Sequence, residues 1–489
     1  MSQCEKQGIY LSFFKNVLWS LGGNVGVQLL GLLTNIILAR LLTPEIFGVV
    51  AITMIFITLV HNTQEAGFSS VIVNSKTLSN KLVATTFYSN IIFSIVLCLL
   101  IWFFAPLISN FYGNSQIEKL LYYSIIGLII GSFGITFRGL LTRRSEFKVL
   151  TMVDLISEIL GIILTFILIF YEFYYIAVSA RVMSRPAFRA IMMLLVCGLK
   201  DVKAVPSIRL LPQILPYSSN VLGVRLANYL KNNLDYLIAG KFIGSQGIGF
   251  YTLGFQWSTI AKFYISGSVA KVLFPEVSKH QNDLEKVRSI FLSVVKKLMF
   301  VILPFCVILA LVAQDFILTI YGKQWAKAVP VLQILMISGA LTSLGTLVSR
   351  VYQGLGKPSR EFKITLLSII TFIPFIIIGS IYGVIGLAFA VLFHTLIFDS
   401  ILVFSVLRIM NLPLMLFIKN IFPAIKSVVG MTILYFIFQF LLPTEGGTPI
   451  FSLIFNTFIG IVCYMLMTAI FNKEVIFQFM RNKLTVFKY

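Results

Sequence analysis

The 489-residue chain is 58% apolar and only 12% charged, a composition typical of polytopic helical membrane proteins. Its formal net charge of +21 would suit a nucleic-acid partner. Most basic residues, however, lie in short polar segments between long apolar stretches, a pattern that indicates membrane topology and excludes nucleic acid as the partner. None of these polar segments is long enough to form a soluble domain.

About 14 apolar stretches reach the length of about 20 residues that a helix needs to cross a hydrocarbon core of about 30 Å. In chain order they are 17–42, 46–66, 83–105, 120–141, 151–171, 174–197, 216–239, 248–270, 298–316, 329–351, 364–381, 384–407, 421–442 and 450–471. The sequence therefore predicts an all-α polytopic membrane protein.

Basic residues alternate between the two sides of the predicted bundle. If the N-terminus is inside, clusters at 138–148, 200–209 and 357–363 face the cytoplasm. The outer loops carry few basic residues, namely Lys119, Lys241, Lys323 and Lys327. This positive-inside bias predicts a multi-pass protein of the cell (inner or plasma) membrane with both termini in the cytoplasm.

The chain repeats itself over two halves of six spans. Segment 39–48, ARLLTPEIFG, aligns with 240–249, GKFIGSQGIG, and the same shift brings Gly22 onto Gly223. Further along, three short segments recur in the same order: FYG at 111–113 as IYG at 320–322, FRGL at 137–140 as YQGL at 352–355, and EFK at 146–148 as EFK at 361–363. The order of these matches indicates an internal duplication.

Two halves with an even number of spans insert with the same orientation. We therefore predict two pseudo-symmetric lobes, 1–200 and 201–410, related by an axis along the membrane normal, with the substrate site between them. Residues 411–489 have no counterpart in the repeat. They are predicted to form an appended helix hairpin and a cytoplasmic tail.

The segment 39–48, the EAGF at 65–68 and the NLDYLIAG at 233–240 resemble bacterial polysaccharide flippases of the multidrug/oligosaccharidyl-lipid/polysaccharide exporter superfamily. The resemblance extends over nearly the whole chain. It implies two six-helix lobes around a central cavity that opens alternately to each side. The implied substrate is a polyprenyl-pyrophosphate that carries an oligosaccharide repeat unit, destined for O-antigen, capsule or exopolysaccharide.

The resemblance also bears on partners. The lipid bilayer is one, and a polymerase of the same pathway is a candidate. In the related lipid II flippase two extra helices form a groove for the lipid tail, which suggests a similar use for 421–471. Neither a cofactor nor a metal site is predicted.

The sixth span carries three arginines at positions i, i+4 and i+8. Arg181, Arg185 and Arg189 therefore share one helix face over about 12 Å, with Pro186 among them. Ionisable residues inside a membrane are costly and mark functional sites by default. Because a guanidinium group binds phosphate with two parallel hydrogen bonds, Arg181 and Arg185 are predicted to bind substrate.

The alternative role for these arginines is ion pairing. Spans five and six form a hairpin that turns near residues 172–173, which places Arg189 beside Asp154 and Glu158. We therefore expect Arg189 to pair with one of these carboxylates. At the depth of Arg181 the hairpin offers no acidic residue, so Arg181 is expected to face a cavity.

Further polar residues lie in spans one, seven and eight. The predicted substrate contacts among them are Asn24, Asn35, Arg225, Asn228, Asn232 and Lys262. Lys231 and Asp235, one helical turn apart, are expected to neutralise each other. Glu65, His61, His394 and Asp399 are weaker candidates that more often serve packing or pairing.

Three other function classes compete with a flippase. An enzyme would need catalytic machinery, yet the chain has neither a phosphate-binding loop nor an HExxH motif, and His61, His280 and His394 are far apart. A membrane-embedded polymerase would need larger outer loops.

A multidrug antiporter of the same fold usually binds organic cations through carboxylates, whereas span one carries amides. A purely structural protein would leave the polar seventh span unexplained.

Overall fold

The computed structural model describes residues 3–75, 77–198, 200–442 and 448–472, and this part of the chain is built from helices and short connections. The first seven helices are α1 (Gln3–Leu41), α2 (Pro44–Asn74), α3 (Asn80–Tyr112), α4 (Ser115–Arg143), α5 (Phe147–Phe170), α6 (Tyr174–Cys197) and α7 (Leu211–Ile260). The others are α8 (Gly267–Lys279), α9 (Leu284–Leu311), α10 (Ala313–Ile320), α11 (Ala328–Gly354), α12 (Pro358–Ile381), α13 (Gly383–Ile409), α14 (Leu414–Leu441) and α15 (Pro449–Phe471). A π-helical turn, Ala261–Ser266, joins α7 to α8.

Within the described residues, 11 helices are long and apolar enough to cross a membrane. Helices span bilayers because they satisfy their backbone hydrogen bonds internally. The three predicted spans that do not meet this test correspond to α6 and the two parts of α7. Two of these three carry several charges: Arg181, Arg185 and Arg189 in α6, and Arg225, Lys231 and Asp235 in the first part of α7.

Helix α7 covers the predicted span 216–239 and the first part of 248–270, because the chain continues from one into the other without a loop. The rest of 248–270 lies in the π-helical turn and at the start of α8. The two parts are separated at Gly244, whose φ of 69° lies in the left-handed region. Glycine adopts this conformation without steric cost. Under the shift that relates the two halves, Gly244 corresponds to Thr43, which precedes α2. The break in α7 therefore takes the place of the α1–α2 turn.

Local sequence explains several other helix ends. Ser79 and Asn114 accept hydrogen bonds from backbone N–H groups at the starts of α3 and α4, and Asp283 does so for α9, as N-cap residues do. Gly113, in the left-handed conformation, ends α3. Glu172 turns the chain between α5 and α6 with a φ of 63°.

The chain divides into two compact units, Met1–Gly249 and Phe250–Tyr489. In the first unit α4 is central and packs against α2, α3 and α6. Glycines allow the close approach of α4 and α6: a methyl group added at Gly127 would lie 2.3 Å from the carbonyl oxygen of Met183. Small residues serve this purpose in membrane helices generally.

In the second unit α11 occupies the corresponding place and packs against α8, α9 and α13. The hairpin of α14 and α15 packs against α9 and α10. Side-chain hydrogen bonds hold it there, among them those of Asn420 to the Leu292 carbonyl, Tyr464 to the Phe300 carbonyl, and Asn456 to the Asp315 carboxylate. The predicted lobe boundaries at 200/201 and 410/411 and the lipid-tail groove stay predictions.

Candidate functional site

A network of ion pairs lies in the interior of the first unit. The arginine face of α6 supplies three guanidinium groups, α5 supplies two carboxylates and α2 supplies a third. Because single charges in a hydrocarbon environment are costly, such groups are stable there only when paired and hydrogen-bonded.

Arg181 is held from two sides. Its Nη1 pairs with Glu158 Oε1, and its Nη2 donates to the amide oxygen of Asn35 on α1 at 3.3 Å. Gly31, one turn before Asn35, provides the space, since a methyl group there would lie 2.7 Å from Nη1. The neighbouring helix α5 and the helix α1, distant in sequence, thus fix this guanidinium group.

Glu158 is shared by two arginines. Its side chain is 0% exposed, and its Oε2 lies 3.3 Å from Nη1 of Arg185. The Nε–H of Arg185 is buried and makes no hydrogen bond within the described part of the chain. The Nε–H of Arg181 is likewise buried without a hydrogen bond in this part of the chain, so both arginines retain a donor for another acceptor, and Arg185, at 28% against 14% exposure, is the more accessible of the two.

Arg189 connects α6 with α5 and α2. Its Nε lies 2.8 Å from Asp154 Oδ1, and its Nη1 lies 3.4 Å from Glu65 Oε1. Arg138 of α4 approaches the same Asp154 oxygen at 3.6 Å. The side chain of Arg189 is only 13% exposed. This end of the network therefore links four helices.

The depth of Arg189 in the α5–α6 hairpin predicts a carboxylate partner, and the structure places Asp154 beside it. The companion expectation for Arg181 is wrong, because Glu158 pairs with it directly. Counted from the α5–α6 turn, Glu158 lies about six residues deeper than Arg181, or roughly 9 Å along the helices. A long arginine side chain spans most of this gap.

Little empty space remains at the Arg189 end of the network. His61, Glu65, Arg138 and Arg189 contribute to the walls of a cavity of about 10 Å³, roughly the space that one water molecule needs. A pyrophosphate is far larger. A ligand of that size therefore does not fit beside Arg189 in this conformation.

The network carries a surplus of positive charge: Arg138, Arg181, Arg185 and Arg189 face Glu65, Asp154 and Glu158. One arginine in excess favours an anion nearby, and guanidinium groups stay charged at any physiological pH. Sequence reasoning missed the contributions of Arg138 and Asn35, which depend on the packing of distant helices.

The polar residues of α7 and α1 lie in different settings. Arg225 and Asn232 on α7, and Asn24 on α1, are exposed. Lys231 is also exposed, whereas Asp235 is 3% exposed, so their mutual pairing stays a prediction. The predicted contact Asn228 has a side chain outside the described part of the structure.

The candidates Lys262 and His394 belong to the second unit. Lys262 is half-buried, with its ammonium group 5.3 Å from the ring centre of Phe263. His394 is packed among aromatic rings and contacts the Ser368 carbonyl at 3.0 Å. This setting makes His394 a packing residue.

Comparison with known proteins agrees with this architecture. A family model described as "Polysaccharide biosynthesis protein" matches residues 37–330. The chain belongs to the polysaccharide biosynthesis protein family. Two proteins to which the chain is similar over most of its length are the lipopolysaccharide biosynthesis protein WzxC of Escherichia coli K12 and the succinoglycan biosynthesis transport protein ExoT of Rhizobium meliloti 1021.

WzxC is 24% identical over 449 residues, covering 91% of this chain and 87% of WzxC. ExoT is 25% identical over 475 residues, covering 94% of each protein. Among solved structures, lipid II flippase MurJ in its inward closed conformation matches with a TM-score of 0.76 and 19% identity, over 94% of this chain and 100% of MurJ. The chain therefore has a MurJ-like, all-helical transporter fold.

Proposed function

We propose that the protein flips a polyprenyl-pyrophosphate-linked oligosaccharide from the cytoplasmic to the outer leaflet of the cell membrane by alternating access. The observation that supports this most strongly is the combination of family and fold: a polysaccharide biosynthesis protein whose chain matches a flippase structure almost from end to end. Both termini lie in the cytoplasm in this proposal, as the basic clusters indicate.

The charges support an anionic substrate. The arginine network has one positive charge in excess, and Arg225 adds a further exposed cation on α7. Arg225 is the proposed primary contact of the pyrophosphate, with Asn24 and Asn232 as further contacts. Lys262, in the second unit, is a separate proposed substrate contact. Arg185 serves as a second phosphate contact, and Arg181 is a positioning residue held by Glu158 and Asn35.

The membrane potential supplies a driving force that requires no nucleotide site. A charge that crosses the membrane gains about 2.3 kcal/mol per 100 mV. A pyrophosphate that moves outward as roughly two negative charges gains about twice this amount. Export is therefore favourable when the cytoplasm is negative.

Complementation of a strain that lacks its own repeat-unit flippase tests the proposal. The native chain should restore surface glycan, and Arg225→Ala should abolish it while the protein stays in the membrane. Arg225→Lys should restore it in part, because a point charge loses the bidentate geometry of phosphate binding. Arg209→Ala, an exposed residue in the α6–α7 connection, is the matched control and should behave like the native chain.

A multidrug antiporter is the remaining alternative on grounds of fold. It predicts the opposite pattern: resistance to cationic dyes in cells that express the chain, with no recovery of surface glycan. The amides in place of an acid on α1, Asn24 and Asn35, argue against it.

A further inference from the structure

Helix α1 packs along α5 through a face that contains glycines. A methyl group added at Gly23 would lie 2.3 Å from Cγ2 of Thr151, and one added at Gly26 would lie 3.2 Å from Cδ2 of Leu155. Later residues of α1 thus contact later residues of α5, so the two helices run in the same direction. Because α6 returns along α5 in a hairpin, α1 and α6 run in opposite directions.

Beside this glycine face, α1 carries a row of three amides, Asn24, Gln28 and Asn35. At 3.6 residues per turn they lie within about 40° of one another around the helix axis. Asn24 and Gln28 are exposed, although both belong to a segment that is long and apolar enough to cross the membrane. The exposed apolar residues of this segment form a separate stripe: Val25, Leu29, Leu33 and Ile37. Since polar groups are costly in lipid, the apolar stripe suits the bilayer and the amide row suits the interior of the protein.

Asn35 shows which neighbour the amide row faces. Its amide oxygen accepts a hydrogen bond from Nη2 of Arg181 at 3.3 Å, so this side of α1 is turned towards the arginine face of α6. From this contact, Gln28 lies two turns back along α1 and Arg185 lies one turn forward along α6. Because the helices are antiparallel, both steps lead in the same direction, towards the cytoplasmic ends in the proposed topology.

The depth of Gln28 matches that of Arg185. Gly26 contacts Leu155, so Gln28, two residues further along a parallel helix, lies about 3 Å beyond this contact. That level is one residue short of Glu158, whose Oε2 lies 3.3 Å from Nη1 of Arg185. Gln28 and Arg185 therefore lie at the same depth on the two helices that flank α5.

These two side chains differ in the chemistry they offer to a ligand. The guanidinium group of Arg185 retains a buried Nε–H donor and suits a phosphate oxygen. The amide of Gln28 is uncharged and both donates and accepts hydrogen bonds, as sugar hydroxyl groups do. In a polyprenyl-pyrophosphate-linked oligosaccharide the first sugar is bonded directly to the diphosphate. A cation and an amide at one depth therefore fit the junction of diphosphate and sugar.

We infer that Gln28 is a specificity-determining residue that hydrogen-bonds the hydroxyl groups of the sugar bonded to the diphosphate, while Arg185 contacts the diphosphate itself. This inference rests on the proposed function and refines it. Asn35, which is engaged by Arg181, positions the amide row and makes no contact with the sugar. The amide row of α1 thus discriminates among glycans, whereas the arginine of α6 binds any lipid diphosphate.

Binding of two lipids by the purified full-length chain tests this inference. One probe is a fluorescent polyprenyl-pyrophosphate-linked oligosaccharide, and the other is the same fluorescent polyprenyl pyrophosphate without the sugar. The dissociation constant of each lipid is measured by fluorescence anisotropy in detergent. The ratio of the two constants reports the contribution of the glycan alone.

Gln28→Leu is the test variant, because it keeps the length of the side chain and removes its hydrogen bonds. We expect its affinity for the glycan-bearing lipid to fall about fivefold, with unchanged affinity for the sugar-free lipid. Leu29→Ala, an exposed residue of the apolar stripe, is the matched control and should bind both lipids like the native chain. Arg185→Lys should weaken the binding of both lipids by the same factor, about threefold.

Gln28→Glu covers the case in which Gln28→Leu fails to accumulate. A carboxylate beside the diphosphate repels it, so the affinity for both lipids should fall about tenfold. Unchanged binding of the sugar-free lipid by Gln28→Glu would place position 28 far from the diphosphate and overturn the inference. Equal losses for both lipids in Gln28→Leu, or no loss for either, would also overturn it.

The native chain separates this inference from the proposed function. If the native chain binds both lipids and Gln28→Leu binds them equally well, the sugar contact is wrong and the flippase function stands. If the native chain binds neither lipid, the proposed function is contradicted, and the sugar contact with it.

Discussion

At the scale of single residues, the α6 arginines show how far depth in a hairpin predicts contacts. Arg189 and Asp154 lie at nearly equal distances from the α5–α6 turn, so the sequence predicts their proximity, and the atoms lie 2.8 Å apart. Arg181 has no acid at its own depth, yet it reaches Glu158. The contact of Arg181 with Asn35 depends on where α1 packs, which sequence spacing does not reveal.

Loss of Arg189 is expected to destabilise the fold. Arg189→Ala leaves Glu65 without its ion-pair partner and Asp154 with only the longer contact to Arg138. Removal of one partner from a buried ion pair typically costs about 3–5 kcal/mol. Membrane abundance and the melting temperature of the purified protein should both fall. Arg209→Ala, at an exposed site, should change neither. An unchanged melting temperature in Arg189→Ala would contradict a structural role for this pair.

The shared carboxylate gives a second prediction. Glu158→Gln removes the negative charge that faces Arg181 and Arg185, so the melting temperature should fall. Adding Arg181→Met should recover part of the loss, because one unpaired cation is then gone. A double-mutant cycle measures the coupling between positions 158 and 181. Strictly additive effects of the two substitutions would show that the pair contributes nothing.

At the scale of secondary-structure elements, the break in α7 was partly foreseeable. Two apolar stretches, 216–239 and 248–270, indicate two spans, and the alignment with the α1–α2 turn places their junction near 243–245. The sequence does not show that the chain changes direction within one residue. That depends on the positive φ of Gly244, a backbone property that any glycine permits and none requires.

Gly244→Ala should therefore be costly. An L-residue in this conformation is strained by about 1–3 kcal/mol, so the variant should melt at a lower temperature than the parent. Gly223→Ala, on the same helix with open space around it, is the control and should melt at or above the parent temperature. Equal stability of the Gly244→Ala variant and the parent would mean that the α7 break relaxes without strain.

The sequence predicts the appended hairpin but not how the hairpin attaches to the rest of the protein. Helices α14 and α15 have no counterpart in the repeat, and their apolar content predicts membrane spans. Its attachment to α9 and α10 through Asn420, Tyr464 and Asn456 could not be predicted. Polar side chains that bond across helices in a membrane look, in sequence, like any other polar interruption of a span.

At the scale of the whole molecule, composition alone was nearly sufficient for the fold class. A chain that is 58% apolar with polar segments too short for a domain has few alternatives to a helical bundle in a membrane. The substrate is harder to predict, since the decisive quantity is the sign of charge along the pathway. That sign depends on which ionisable groups neutralise each other, as Glu158 does for Arg181.

Transport in vitro shows whether the protein flips a lipid-linked oligosaccharide. The purified protein is reconstituted in liposomes that contain a fluorescent polyprenyl-pyrophosphate-linked oligosaccharide, and translocation is followed as the fraction of label that an impermeant reagent reaches. Native protein should move the lipid-linked sugar faster when the acceptor side is positive, and Arg225→Ala should lower the rate at least tenfold relative to native and to Arg209→Ala. A translocation rate equal to that of protein-free liposomes would contradict the proposed flippase function.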